Sequence, residues 1–400
     1  MQRVVMPEPH LDDGGPRRDT IAHRPTGVCA FVGPTPSGPV GLLSPTLRSF
    51  AAYQAIYGGL LTPEPGDATS RHLAYMGHAA HAFFAQGGQR LHVLRVDHDC
   101  LPDDPDRLPA LYAAALERLD EAPDISLVAM PATMALATDD PAGAAMAMRL
   151  QRLLLDHVSL DRRHRMAILD VPADADARAV LAWRAPMDTA QAAMYHPWLV
   201  VADPASPTET MALPPSGFVC GIYARSDALR GIHRAPANDV LHGVLRLSRP
   251  LSHDEQALLN AQGVNSLRTL AGLGTLVWGA RTLSREPAWI HVSVRRHFNH
   301  LRHAIEQGLS WVVFEPNGEA LWSRVRSAVS EFLAEEWRMG GLAGQREDQA
   351  FYVRCDRSTM TPADERAGRL VCHVGLAQTR PSEFRTLQLQ LATGDWSSAA

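Results

Sequence analysis

Between residues 101 and 227, short apolar segments alternate with segments of helical period, and no other feature of this chain restricts its fold as much. The apolar runs are 125–130, 166–171 and 192–201, and the helical segments are 142–157 and 174–183. A strand that is apolar throughout must be covered on both faces, and helices that carry the chain back between such strands make the sheet parallel. The expectation is a layered α/β domain. Ahead of it, residues 28–32 read as a buried strand stopped by the turn residues 33–39, followed by helices near 47–57 and 70–86 and a strand at 90–96. The first 25 residues read as an arm, in which Arg3, Val4, Val5 and Met6 form a strand candidate with no nearby partner.

The last third changes character. Strands are expected at 276–280, 289–292 and 310–314, a helix at 294–307, and a second helix at 319–339 in which Leu321, Val325, Ala328, Phe332 and Leu333 recur every three or four residues. Gly340 and Gly341 stop that helix. Strands at 351–355 and 369–376 follow, with a capped helix start at Thr361-Pro362 between them. The run 386–391 alternates strictly, with Leu387, Leu389 and Leu391 on one face. A half-buried strand needs a sheet, and at a chain end that sheet can belong to another molecule.

Composition limits the partners. Four hundred residues with 46% hydrophobic side chains can bury more than one core, and 43 acidic against 38 basic residues without long charge runs argues against a nucleic-acid or anionic-membrane surface. Protein partners are expected. No lysine occurs, so the strong cations are all Arg, whose planar fork suits paired, buried contacts. The five cysteines are odd in number and far apart in sequence, which suggests neither a disulfide framework nor a zinc site and fits a reducing cytoplasm. Neither a signal-peptide core nor an apolar run of about 18 residues is present.

Chemistry is expected to be absent. There is no phosphate loop; the Gly-rich piece 270–278 lacks the Lys and the helix that would follow one. Ser216 in Pro-Pro-Ser-Gly lacks the setting of an exposed nucleophile and reads as a helix cap. His72, His78 and His81, and then His297, His300 and His303, have helical spacing but no suitably placed Cys or Asp, so they read as solvated or interface histidines. Asp12-Asp13, Asp103-Asp104 and Asp139-Asp140 read as solvated turns, and Trp311, Trp322, Trp337, Phe314 and Phe332 as core. No catalytic residue, metal or cofactor is assigned.

Several strings, in order, nonetheless resemble one family. They are Tyr195-His196-Pro197-Trp198, Pro214-Pro215-Ser216-Gly217 with Gly221-Ile222-Tyr223-Ala224-Arg225, Arg234-Ala235-Pro236-Ala237-Asn238, and Val277-Trp278-Gly279-Ala280-Arg281-Thr282-Leu283. Val313-Phe314-Glu315-Pro316-Asn317, Ala320-Leu321-Trp322 and the segment 351–356 continue the series, and Ala30-Phe31-Val32-Gly33 with Val93-Leu94-Arg95-Val96 match its start. Together they resemble the contractile tail-sheath proteins of phages and phage-like injection particles.

The resemblance implies a subtilisin-like layered α/β domain without that protease's Asp, His and Ser motifs, plus a C-terminal α+β sheath domain and strand arms at both ends. It divides the chain into an arm (1–25), an α/β segment (26–100), the subtilisin-like domain (101–230), the sheath domain (231–385) and a terminal strand and tail (386–400). It also implies a structural role in hexameric rings stacked around an inner tube, with baseplate and cap proteins as further partners and neither nucleic acid nor membrane. Assembly would take place in the bacterial cytoplasm. Arg3, Val4, Val5, Met6, Leu387, Leu389 and Leu391 would exchange strands between subunits, 8–25 would be the hinge, and Arg338, Met339 and Arg346 would face the tube. His297, His300 and His303 depart from the family pattern. A baseplate or tail adaptor is the alternative, and an α/β hydrolase a remoter one.

Overall fold

The computed structural model describes residues 19–64, 66–97, 106–137, 140–160, 163–203, 208–378, 380 and 383–394. The chain forms two compact units, Arg24–His303 and a second made of Met1–His23 with Ala304–Ala400.

The larger unit carries β1 (Cys29–Gly33), β2 (Leu91–Arg95), β3 (Leu127–Ala129), β4 (Met166–Leu169), β5 (Ala192–His196), β6 (Leu199–Ala202), β7 (Thr210–Leu213), β8 (Asp239–Val240), β9 (Val244–Leu247), β10 (Val264–Leu270) and β11 (Gly274–Val277). Eight of them form one sheet in the order β2-β1-β3-β4-β5-β10-β11-β8. The first six run parallel, and β11 and β8 close the edge antiparallel. Side chains alternate across this sheet between two cores. Phe31, Val93, Ala129, Ile168 and Tyr195 enter one of them, while Ala30, Val32, Leu94, Val128, Leu169 and Met194 enter the other. The helices Ala68–Ala85 and Ser216–Arg230 cover the first face, and Arg107–Arg118 and Pro141–Ser159 cover the second. This double burial is why the strands read as unbroken apolar runs.

Close helix packing sets the inner layer. A Cβ added to Gly217 would lie 2.6 Å from the Ala79 Cα, and one added to Gly221 2.5 Å from the Phe83 carbonyl oxygen, so only glycine lets these two helices approach so closely. Asp67, Asp140 and Asp176 each cap a helix N-terminus through a carboxylate oxygen.

Four departures from the sequence expectations concern the larger unit's strands and boundaries. The apolar run 192–201 breaks at Pro197 into β5 and β6, and β6 enters a separate antiparallel sheet, β7-β6-β9. β1 and β2 share the large sheet with β3 to β5, so segments 26–100 and 101–230 fold as one body. Residues 231–303 join this body as well, because β10 pairs with β5, Val264 beside Met194, a contact across some seventy residues that no local pattern announces. Residues 287–289 form a 3-10 turn and Val292 opens the helix Val292–Gly308, where a strand had been expected at 289–292.

The smaller unit contains the helix Glu319–Arg338 and the strands β12 (Phe351–Arg354), β13 (Arg369–Leu376) and β14 (Arg385–Ala392), in the order β12-β13-β14 and antiparallel throughout. Leu321, Val325, Ala328, Phe332 and Leu333 of the helix are all buried, as their spacing required. Thr361 and Asp364 form a reciprocal capping box on the helix Pro362–Arg366. Among the described residues, no helix is long and apolar enough to cross a membrane.

Candidate assembly surfaces

The terminal strand finds a sheet within its own chain. β14 pairs with β13 over eight positions, from Arg385 beside Leu376 to Ala392 beside Arg369. Leu387 and Leu389 are 3% and 1% exposed and Leu391 is half-buried, so the alternation gave the inward face correctly. It did not give the partner: the edge of β13 is available locally and a single chain uses it. β12 and β14 are the outer strands, so each turns a row of backbone groups away from the sheet, where a further strand can pair. Arg3, Val4, Val5 and Met6 lie outside the described residues.

The hinge expected over 8–25 is narrowed from its C-terminal side. Asp19 accepts two hydrogen bonds from Arg324, at 2.8 and 3.0 Å, and the same guanidinium pairs with Glu315 at 3.2 Å. His23 sits beside Glu336 and Glu335 at 3.1 and 3.2 Å, with its ring 5.2 Å from that of Phe332. Residues 19–23 are therefore strapped along the helix Glu319–Arg338.

Arg338, Met339 and Arg346 flank one turn. Arg338 ends the helix, Met339 is 55% exposed, and Arg346 is exposed and paired with Asp348 at 2.9 Å. The turn between them is held by Trp337 Nε1, which donates to the Gly344 carbonyl at 2.9 Å, and by the Ala343 amide, which donates to the Ala377 carbonyl at 2.7 Å.

One further feature escaped the sequence reading. The segment Ser310–Phe314 is a 3-10 helix and not a strand, and this turns Phe314 outward to 60% exposure with Val313 partly exposed beside it. The signal was the pairing of Phe314 with the turn Glu315-Pro316-Asn317, which ends a segment too short to be an interior strand.

Residues that resemble chemistry are tied into the scaffold. Ser216 is fully buried; its hydroxyl donates to Asp170 Oδ2 at 2.6 Å and its amide to Oδ1 at 2.8 Å. The carboxylate, and not the serine, caps the helix Ser216–Arg230. Burial raises the Asp170 pKa to about 7, against the pull of the two Ser216 hydrogen bonds. Between pH 4 and 7 the folded chain thus holds a proton that the unfolded chain has released, so this group lowers stability as pH rises through that window. Asp170→Asn keeps the shape and removes the dependence. Relative to that variant, the wild type is expected to lose a few kcal/mol between pH 4.5 and 8, by about 1.4 kcal/mol per pKa unit. Denaturant midpoints that run parallel for the two proteins would contradict this.

Of the six histidines expected to be solvated or at an interface, His72, His78 and His297 are buried, His300 and His303 are half-buried and His81 is exposed. His72 Nε2 lies 3.1 Å from the Tyr112 hydroxyl, His78 Nε2 lies 2.8 Å from the Leu61 carbonyl, and His81 meets the edge of Phe50. His297 is buried against His233, and His303 faces His164 at 5.3 Å between ring centres.

Comparison with known proteins decides the family. The description "phage tail sheath protein central domain" matches residues 109–283, and "phage tail sheath C-terminal domain" continues over 284–392. The chain belongs to the phage tail sheath family. Sheath proteins of this family are structural and not enzymes. A prophage major tail sheath protein of Pseudomonas aeruginosa UCBPP-PA14 is 25% identical over 240 residues, 59% of this chain and 60% of that one. The chain thus spans less than two thirds of that sheath protein's length. Among solved structures, the helical sheath of the anti-feeding prophage in its contracted state is 28% identical with a TM-score of 0.73, covering 96% of this chain and 99% of that one. A chain of the six-fold symmetrised baseplate of the same particle is 27% identical, with a TM-score of 0.73 and 98% and 100% covered.

Proposed function

We propose that this chain is the sheath subunit of a contractile, phage-tail-like injection particle, polymerising as stacked hexameric rings around an inner tube. One observation carries the reading: the similarity to a contracted helical sheath extends over nearly the whole of both chains. In this reading the large unit has the family's subtilisin-like layering and acts as a rigid body, while the small sheet is the joint. Residues 3–6 and the strand bearing Leu387, Leu389 and Leu391 add to sheets of neighbouring subunits. A head-to-tail contact that does not close on itself generates a helical polymer. Strand exchange would let that polymer rotate and shorten without coming apart, so contraction is a switch of subunit interfaces that leaves the folds intact.

Arg338, Met339 and Arg346 face the inner tube, and baseplate and cap proteins complete the partners. Assembly takes place in the bacterial cytoplasm before the subunit becomes part of the particle. A second reading, a subunit next to the baseplate, draws on the similarity to a baseplate chain. Electron microscopy of the purified protein separates the two: long hollow cylinders are expected for a sheath, and single rings for a baseplate ring. A chain that stays monomeric at every concentration would contradict both.

A further inference from the structure

Four of the five cysteines are brought together by the fold, in two pairs of touching thiols: Cys29 with Cys220, and Cys355 with Cys372. The second pair has a defined cross-strand geometry. β12 and β13 pair up to Arg354 beside His373, so the next residue, Cys355, faces Cys372. The Ala377 amide donates to the Ala350 carbonyl at 2.8 Å, which marks a hydrogen-bonded position of the ladder. Such positions alternate along an antiparallel pair, and counting from Ala350 puts Cys355 and Cys372 at a non-hydrogen-bonded one, where Cα atoms stand about 4.5 Å apart and side chains are closest. Disulfides bridge Cα separations of about 4.4–6.8 Å. Both residues are fully buried.

We propose that Cys355 and Cys372 form a dithiol site that closes to a cross-strand disulfide on meeting a small-molecule disulfide such as oxidised glutathione. The thiolate of one cysteine attacks a glutathione sulfur, the S–S bond of the oxidant breaks, and the departing glutathione thiolate takes up a proton. The second cysteine then gives up its proton and attacks the protein-side sulfur of the mixed disulfide, releasing a second glutathione. Two protein thiols lose two electrons and two protons, and one oxidant molecule becomes two thiols.

The surroundings keep this exchange slow and conditional. The Cys372 thiol is held well above its ordinary range, first by its hydrogen bond with Cys355 and then by burial, while the charge of Arg326 pulls the other way. Arg326 also donates to the Cys355 carbonyl, which keeps that cation at the site. Cys355 lies one residue past the end of β12, so opening the last rung of the ladder frees it without unfolding the sheet. In reducing surroundings the pair stays open; in oxidising ones it staples the outer strand β12 to β13. The inference rests on the ladder and holds whether or not the chain builds a sheath.

The full chain is incubated with oxidised glutathione, in one sample while native and in another while refolding from denaturant, then blocked with N-ethylmaleimide, denatured and digested with trypsin. Mass spectrometry is expected to find the peptides of Cys355 and Cys372 joined as one species in at least one sample, and restored to two alkylated peptides by dithiothreitol. In Cys372→Ser the joined species disappears and Cys355 is alkylated. Recovery of both peptides unlinked in both samples, each carrying only glutathione, or linkage of Cys29 to Cys220 alone, would overturn the proposal.

Discussion

A chain ending at Arg385 forms no cylinders. Removing 386–400 takes away all but the first residue of β14 and with it the cover over β13 along its whole length. Leu387 and Leu389, both buried, are each worth about 1.5–3 kcal/mol of apolar burial, and the exposed edge of β13 loses its ladder partner as well. That is a large share of the stability of a unit this small. The expected result is a large unit that keeps its two cores and a C-terminal unit that loses protection, seen as hydrogen exchange confined to residues 304–385 together with the loss of cylinders in micrographs. A separate peptide spanning 383–400 distinguishes the two uses of the strand. If the strand merely completes its own sheet, the peptide restores both protection and cylinders; if neighbours share it, the tethered connection is what matters and the peptide restores protection without cylinders. Normal cylinders from the truncated chain would show that the terminal strand has no part in assembly.

Asp227→Ala should cost the large unit about 3–5 kcal/mol, the loss typical of breaking a buried ion pair by removing one partner. Arg296 donates to both carboxylate oxygens of Asp227, at 2.8 and 2.6 Å, and the two side chains are 2% and 1% exposed. The guanidinium also lies 4.9 Å from the centre of the Tyr223 ring, whose hydroxyl is hydrogen-bonded to that of Tyr195 at 2.6 Å. Removing the carboxylate therefore leaves a cation inside the unit with only an aromatic face and no counter-charge. A fall in Tm on the order of 10 °C is expected by calorimetry. Replacing both partners, as Asp227→Leu with Arg296→Met, should recover most of the loss, because the desolvation cost disappears with the charges. A single variant as stable as the wild type would mean that water reaches the pair.

The two variants probe different levels of legibility. The strict alternation at 386–391 is a local pattern, and it correctly gave the face on which Leu387 and Leu389 are buried. The Asp227–Arg296 pair joins helices almost seventy residues apart, and nothing in either segment marks the other. The same contrast holds for Phe314. Its apolar neighbours Val312 and Val313 read as a strand, but a five-residue piece followed at once by Glu315-Pro316 tightens into a 3-10 turn, and the ring that pattern had assigned to the core faces outward.

Sequence alone determined the parts whose physics is short-range. Apolar runs marked β1 to β5 of the parallel sheet, spacings of three and four marked the buried face of the helix Glu319–Arg338, and ordered motif strings pointed to the sheath family. Tertiary structure decided what depends on distant partners: the pairing of β5 with β10 that draws residues 231–303 into the large unit, the strapping of residues 19–23 by Arg324, and the meeting of cysteines that sequence spacing had kept apart. Period and capping act within a few residues and leave a mark on the sequence there, whereas a sheet edge or a buried counter-charge is satisfied by whichever segment the whole fold brings to it.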